Sequence, residues 1–340
     1  HKYWLNGLVI FFGLIIIRHF FLNATDRIEE VDPALAGFLG GANLPIIFSW
    51  AVGGFFAGGV AFVIGKVALG LRSDYLAIVT LGISEIVVSV LKHEEWLSRG
   101  VKNVIGLKRP VPYEINLQSS DWFINMVTWF NSSKLNEIID PNKKQEMLTN
   151  LVIDSSSLFV KLNYAVLFFI VMILIYYFAN KAQISPWGRM MRAIRDNEVS
   201  ANAMGKDIVK QHLIIFVIGA AIVGVAGAML VTLDGLFTPS GYRPLRFTFI
   251  IWIMVIVGGS GNNLGAIFGG FVIWFAWIEV APLTTFLINL FTSGLDPQNA
   301  IRLHLLDSVP YFRYLLMGMV LLLILRYRPK GIIPEKVRHS

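Results

Sequence analysis

The chain has 340 residues, 55% of them apolar and only 15% charged, with a mean hydropathy of +0.64, so it has too little polar surface to fold as a globular domain in water. Its formal net charge of +7 points to a membrane rather than nucleic acid, because Lys and Arg sit between and after the apolar runs. It contains no cysteine, which excludes disulfides, thiolate metal sites and cysteine nucleophiles.

The chain opens on His1 rather than Met, as expected of a fragment or a trimmed chain. The run from Leu5 to Ile17 meets Arg18 with no small-residue cleavage site, so it reads as a span and not as a cleavable signal. Eight apolar spans follow in order, at about 4–22, 44–69, 74–91, 157–179, 212–232, 247–259, 263–284 and 311–326. Most approach the roughly 20 residues a helix needs to cross about 30 Å of hydrocarbon. The expected fold is all-α: a polytopic bundle of about eight transmembrane helices forming one membrane domain over residues 1–340. No internal inverted repeat is evident.

Three hydrophilic stretches set the topology. Residues 180–211 carry Lys181, Arg189, Arg192, Arg195, Lys206 and Lys210, and the tail carries Arg326, Arg328, Lys330, Lys336 and Arg338. Both are assigned to the cytoplasm by their positive charge, and the four spans between them form an even count. The longer, mixed-charge stretch 92–156 then falls outside.

Small residues recur at helical spacing in Gly54 and Gly58, in Ala220, Gly224 and Ala228, and in Gly261, Gly265 and Gly269. Such faces let helix backbones approach closely where lipid supplies no hydrophobic drive. The last series is read as a helix-packing face, and Gly258-Gly259-Ser260-Gly261 as a tight turn between two helices.

Residues 184–205, ISPWGRMMRAIRDNEVSANAMG, carry the most information. Ser185 is suited to cap a helix with Pro186 at its first position. Trp187, Met190, Met191 and Ile194 then form an apolar stripe, with Arg189, Arg192 and Arg195 on the remaining surface. A second short helix runs from about Asp196 to Met204 and stops at Gly205. From the residues alone, this is either an interfacial helix on anionic lipid or a docking helix for a cytosolic partner.

This segment resembles the SPxGRxxxAIRxNExxAxxMG signature of the LivM-type permeases, the branched-chain amino acid subfamily of ABC importers. Three further stretches agree in order: LRSDYLAIVTLGISE over 71–85, FTF with VIVGGSGNNLGAIFG over 247–269, and YRPKGI over 327–332. The family's early GYxGQxSxGHAAFxxxGAY motif is not visible in residues 1–43, Ser98-Arg99-Gly100 stands in place of its TGGxxG element, and Ala266 replaces a proline. The resemblance implies that 185–205 couples to an ATPase subunit, through Ser185, Pro186, Trp187, Gly188, Arg189, Met190, Met191, Arg192, Ala193, Ile194, Arg195, Asn197, Glu198, Met204 and Gly205. It also implies a homologous permease partner in a heterodimer, two cytosolic ATPases, an external solute-binding protein and the bacterial inner membrane. The chain itself would hold no cofactor, ATP being used by its partners. Branched-chain amino acids are the expected substrate, with urea or short amides as the family's alternative.

An enzyme would need a constellation that is missing here. There is no GxxxxGK[ST], no HExxH, and the six histidines are scattered. Glu85, inside the third span near Thr80 and Ser84, is the notable intramembrane carboxylate, expected either to line a translocation path or to bond a neighbouring helix. An ion-coupled secondary transporter would call for more such charges. The expected function is therefore a transport permease, not an enzyme.

Overall fold

The computed structural model of the chain describes residues 45–71, 73–94, 103–105, 107–294, 296 and 298–335. The expected span at 4–22, with Arg18, lies outside the described residues, as does Ser98-Arg99-Gly100. The chain divides after Tyr242 into two compact units.

The first unit contains α1 (Ile46–Ala68), α2 (Ser73–His93), β1 (Val104–Ile105), α3 (Glu114–Gln118), α4 (Asp121–Phe130), α5 (Ser132–Asn136), α6 (Pro141–Ile184), α7 (Pro186–Asp196), α8 (Glu198–Ala203), α9 (Ile208–Asp234) and β2 (Leu236–Phe237). α1 packs along α9 through small residues. A side chain at Gly54 would meet Val225 at 2.7 Å and the Ala221 carbonyl at 2.9 Å, and one at Gly224 would run into Ala57. Dispersion between closely apposed backbones is what holds helices together in lipid. The face on α9 includes Val217, Ala221, Gly224, Val225 and Ala228, so Gly224 and Ala228 of the expected series lie on it, with Ala221 beside them.

α6 is 44 residues long, about 66 Å, twice what the hydrocarbon requires. Pro141 sits in its first turn and the Asp140 carboxylate accepts from the Asn142 amide at 3.0 Å, so the helix starts well before the expected span. Its N-terminal half carries the small helices α3 and α4 on a core that includes Leu117, Phe123, Val127, Val152 and Val160. Ser156, fully buried there, accepts from Gln118 Nε2 at 2.9 Å, so no polar group is stranded. β1 pairs antiparallel with β2, Val104 opposite Phe237, and ties this subdomain to the end of α9.

The second unit contains α10 (Pro244–Gly258), α11 (Asn263–Phe291), α12 (Ala300–Asp307) and α13 (Val309–Tyr327). Its core is formed by Ile250, Ile253, Val257, Ile273, Trp277 and Met317. α10 and α11 touch backbone to backbone. A side chain at Gly269 would collide with the Met254 carbonyl, and one at Gly265 would lie 2.7 Å from the Gly258 carbonyl. Gly261 is not on that face. It stands in the turn before α11 at φ +92°, where a side chain would meet Glu335.

Six described helices are long and apolar enough to cross a membrane: Ile46–Ala68, Tyr75–His93, Pro141–Ile184, Ile208–Asp234, Asn263–Phe291 and Val309–Tyr327. The expected count of eight is not reached among the described residues. The run at 247–259 forms the 15-residue α10, about 22 Å long and short of a full crossing. Pro244 opens it and Gly259, at φ +121°, closes it.

Candidate functional site

The segment between α6 and α9 is built by caps. Ser185 Oγ accepts from the Gly188 amide at 3.2 Å and donates to the Ala182 carbonyl at 2.7 Å, which ends α6 and starts α7 with Pro186 in its first turn. Asn197 Oδ1 accepts from the Ser200 amide at 2.9 Å and starts α8. Gly205 at φ +74° turns the chain toward α9, whose first turn is capped by Asp207.

Part of the apolar stripe of α7 is covered by the protein itself. Ile194 is 1% exposed and Gly188 is buried, while Trp187, Met190 and Met191 are half-buried. Trp187 Nε1 donates to Gln211 Oε1 of α9 at 3.0 Å. A side chain at Gly188 would collide with the carbonyls of Ala182 and Gln183. Ile194 and Gly188 are thus taken up within the chain, whereas Trp187, Met190 and Met191 keep part of their surface open. The open surface comprises Arg189, Arg192, Ala193, Arg195, Asn197, Glu198, Val199, Met204 and Gly205. Val199 and Met204, at 81% and 80% exposure, are its apolar members.

A groove of about 1220 Å³ opens at the other end of α1 and α9. Its walls include Trp50, Ala57, Val88, Leu91, Gly224 and Ala228, and Ser49, Lys108, Thr232 and Tyr242 are among its polar residues. The buried Trp50 donates through Nε1 to Thr232 Oγ1 at 3.2 Å, and the Tyr164 hydroxyl donates to the Thr232 carbonyl at 3.0 Å. Thr232 thus joins α1, α6 and α9, a role that sequence reading missed, since no local spacing marks it.

The three residues expected on a translocation path do not line this groove. Thr80 donates to the Leu76 carbonyl at 2.8 Å and Ser84 to the Leu81 carbonyl at 2.7 Å, so both hydroxyls serve their own helix. Glu85 is exposed on α2, none of whose most apolar window is buried. Among the described residues no cluster of His, Asp or Glu could hold a metal ion.

Residues 11–325 match the family described as the permease component of the branched-chain amino acid transport system. The chain belongs to that permease family. It is a multi-pass membrane protein. It is 31% identical over 163 residues to a probable branched-chain amino acid transport permease protein LivM of Methanocaldococcus jannaschii, covering 48% of this chain and 44% of that one. It is 23% identical over 285 residues to the high-affinity branched-chain amino acid transport system permease protein LivM of Escherichia coli K12, and 24% identical over 283 residues to that of Salmonella typhimurium LT2. Each of these last two alignments covers 83% of this chain and 56% of the relative. The chain thus spans about half the length of the curated relatives it matches. No solved structure matches it.

Proposed function

We propose that this permease-family chain is a membrane subunit of an ATP-driven importer in a bacterial cytoplasmic membrane. It pairs with a homologous permease, receives branched-chain amino acids from an external binding protein, and couples to two cytosolic ATPase subunits. The chain needs no cofactor of its own, because ATP is used by those partners. Residues 180–211 and the tail face the cytosol, and 92–156 faces outward, in keeping with the distribution of Lys and Arg.

The observation that carries this reading is the capped pair α7–α8, inserted between two spans and fastened to both. The Ser185 cap and the close approach at Gly188 fix α7 to the end of α6, and Trp187 bonds α9. A push on the exposed face would therefore move α6 and α9 together as a rigid body. Val199 and Met204 supply apolar anchors for the ATPase, while Arg189, Arg192 and Arg195 set orientation and association rate.

Reconstitution with all subunits and an uptake panel of labelled leucine, isoleucine, valine, urea and acetamide tests the reading. Arg192→Glu combined with Val199→Arg is expected to leave the unfolding midpoint unchanged while abolishing ATPase capture and reducing leucine uptake at least tenfold. Parental uptake and capture in that variant would sink the coupling assignment. Uptake of urea without leucine would replace the substrate.

A further inference from the structure

Within the second unit, two arginines converge on one tryptophan. The Arg246 guanidinium carbon lies 5.0 Å from the centroid of the Trp277 ring and that of Arg313 lies 5.6 Å from it. The two cations are therefore no further apart than the sum of those distances. Trp277 itself is 5% exposed, on top of the apolar core of Ile250, Ile273 and Met317, with Tyr314 edge-on at 5.6 Å. The Nε atoms of Arg246 and Arg313 are both buried and have no hydrogen-bond partner. Neither guanidinium makes an ion pair with a described residue.

The depth of this pair is set by the helices. Arg246 precedes the Gly258 end of α10 by about 18 Å, and Arg313 precedes the Tyr327 end of α13 by about 21 Å, at 1.5 Å per residue. Trp277 lies at a matching height on α11, about 21 Å from Asn263. With the hydrocarbon boundary set at Gly258, Asn263 and Tyr327, all three lie about two-thirds of the way across roughly 30 Å. α10 starts at this level with Pro244, and Arg243 gives its first turn no side-chain cap. Its amide ends and dipole thus add positive potential at the same place. Two cations brought together at membrane depth, with buried donors left open, require an anion to complete them.

We propose that Arg246, Arg313 and Trp277 form an oxyanion site that takes the carboxylate of an amphipathic solute. The guanidiniums bind the carboxylate through their planar N–H donors, and Trp277 holds both cations in place through its ring face. On that placement the site lies deeper than the headgroup layer, which favours a solute carboxylate over a lipid phosphate. It rests on the importer reading only for the nature of the solute. An amino acid has the required group, whereas urea and amides lack it.

The test uses the full chain in phosphatidylcholine nanodiscs, read by thermal unfolding with three probes: L-leucine, L-leucinamide and added phosphatidylglycerol. L-Leucine is expected to raise the unfolding midpoint and L-leucinamide is not. Arg246→Gln and Arg313→Gln are each expected to weaken the L-leucine response at least tenfold, and Arg246→Lys, which keeps the charge, is expected to fall between. Should a Gln variant fail to fold, the leucine–leucinamide comparison and the Lys variant still decide. Equal responses to leucine and leucinamide, or an undiminished leucine response in the Gln variants, would overturn the site. Arginine-dependent stabilisation by phosphatidylglycerol alone would assign the oxyanion to lipid and overturn the solute carboxylate. Failure of the importer reading shows separately, as no labelled solute entering vesicles that hold all the subunits.

Discussion

The Ile332 amide donates to the carbonyl of Val257 at 2.9 Å, and Ile333 repeats the bond on Gly258 at the same distance. The tail after α13 is thereby stapled onto the turn between α10 and α11, with Asn262 Nδ2 reaching the Pro334 carbonyl at 3.2 Å. Backbones lie this close because Gly259 and Gly331 have no side chain, and both have positive φ, +121° and +78°. The turn and the tail therefore share one end of the second unit, so an even number of crossings separates them.

That staple should be sensitive to a single methyl group. A Cβ at Gly331 would collide with Gly259, and one at Gly259 with the Ile333 carbonyl. Gly331→Ala is expected to cost roughly 1–3 kcal/mol through backbone strain and to expose the tail to protease. Gly318→Ala, in open space on α13, should be neutral or slightly stabilising. Thermal unfolding with limited proteolysis of both variants compares them directly.

The contact between α10 and α11 makes a paired prediction. Gly269→Ala drives a methyl group into the Met254 carbonyl, whereas Gly270 has nothing within 4 Å. The first variant is expected to lower the unfolding midpoint and the yield of monodisperse protein, and Gly265→Leu to do so more severely, since helix separation removes the packing contacts. The second should behave as the parent. Equal behaviour of Gly269→Ala and Gly270→Ala in size-exclusion and unfolding measurements would show that the contact is incidental.

Gly188→Arg should act on folding rather than on docking. The added side chain has no room beside Ala182 and Gln183, so the α6–α7 corner must open. The expected result is a lower unfolding midpoint in the isolated chain, with no partner present. An unchanged midpoint in circular dichroism melts would return Gly188 to the outer surface.

The absence of native cysteines makes sidedness measurable. Single cysteines at Ser132, Asn202 and Lys330, each exposed, are expected to react with an impermeant maleimide from the outside, the inside and the inside respectively. Labelling of Ser132→Cys and Asn202→Cys from one face would contradict the topology.

Much of the coupling segment could be read locally. Ser185 before Pro186, Asn197 before Glu198 and the glycine stop at 205 are short-range signals, because a cap and its helix lie within four residues of one another. The apolar runs were equally legible, since crossing hydrocarbon is a matter of length and composition. Which face of α7 is buried was not. Spacing defines a stripe, and only the tertiary packing decides that Ile194 turns inward and Arg192 outward. Glu85 is similar: its sequence depth was plain, but its exposure depends on what packs beside α2. The arginine pair shows the limit most clearly. Arg246 sits at the edge of one apolar run and Arg313 within another, sixty-seven positions apart, and each alone reads as a costly or interfacial charge. Only the packing of α10, α11 and α13 brings both onto Trp277, because a non-local contact has no signature in the spacing of either segment.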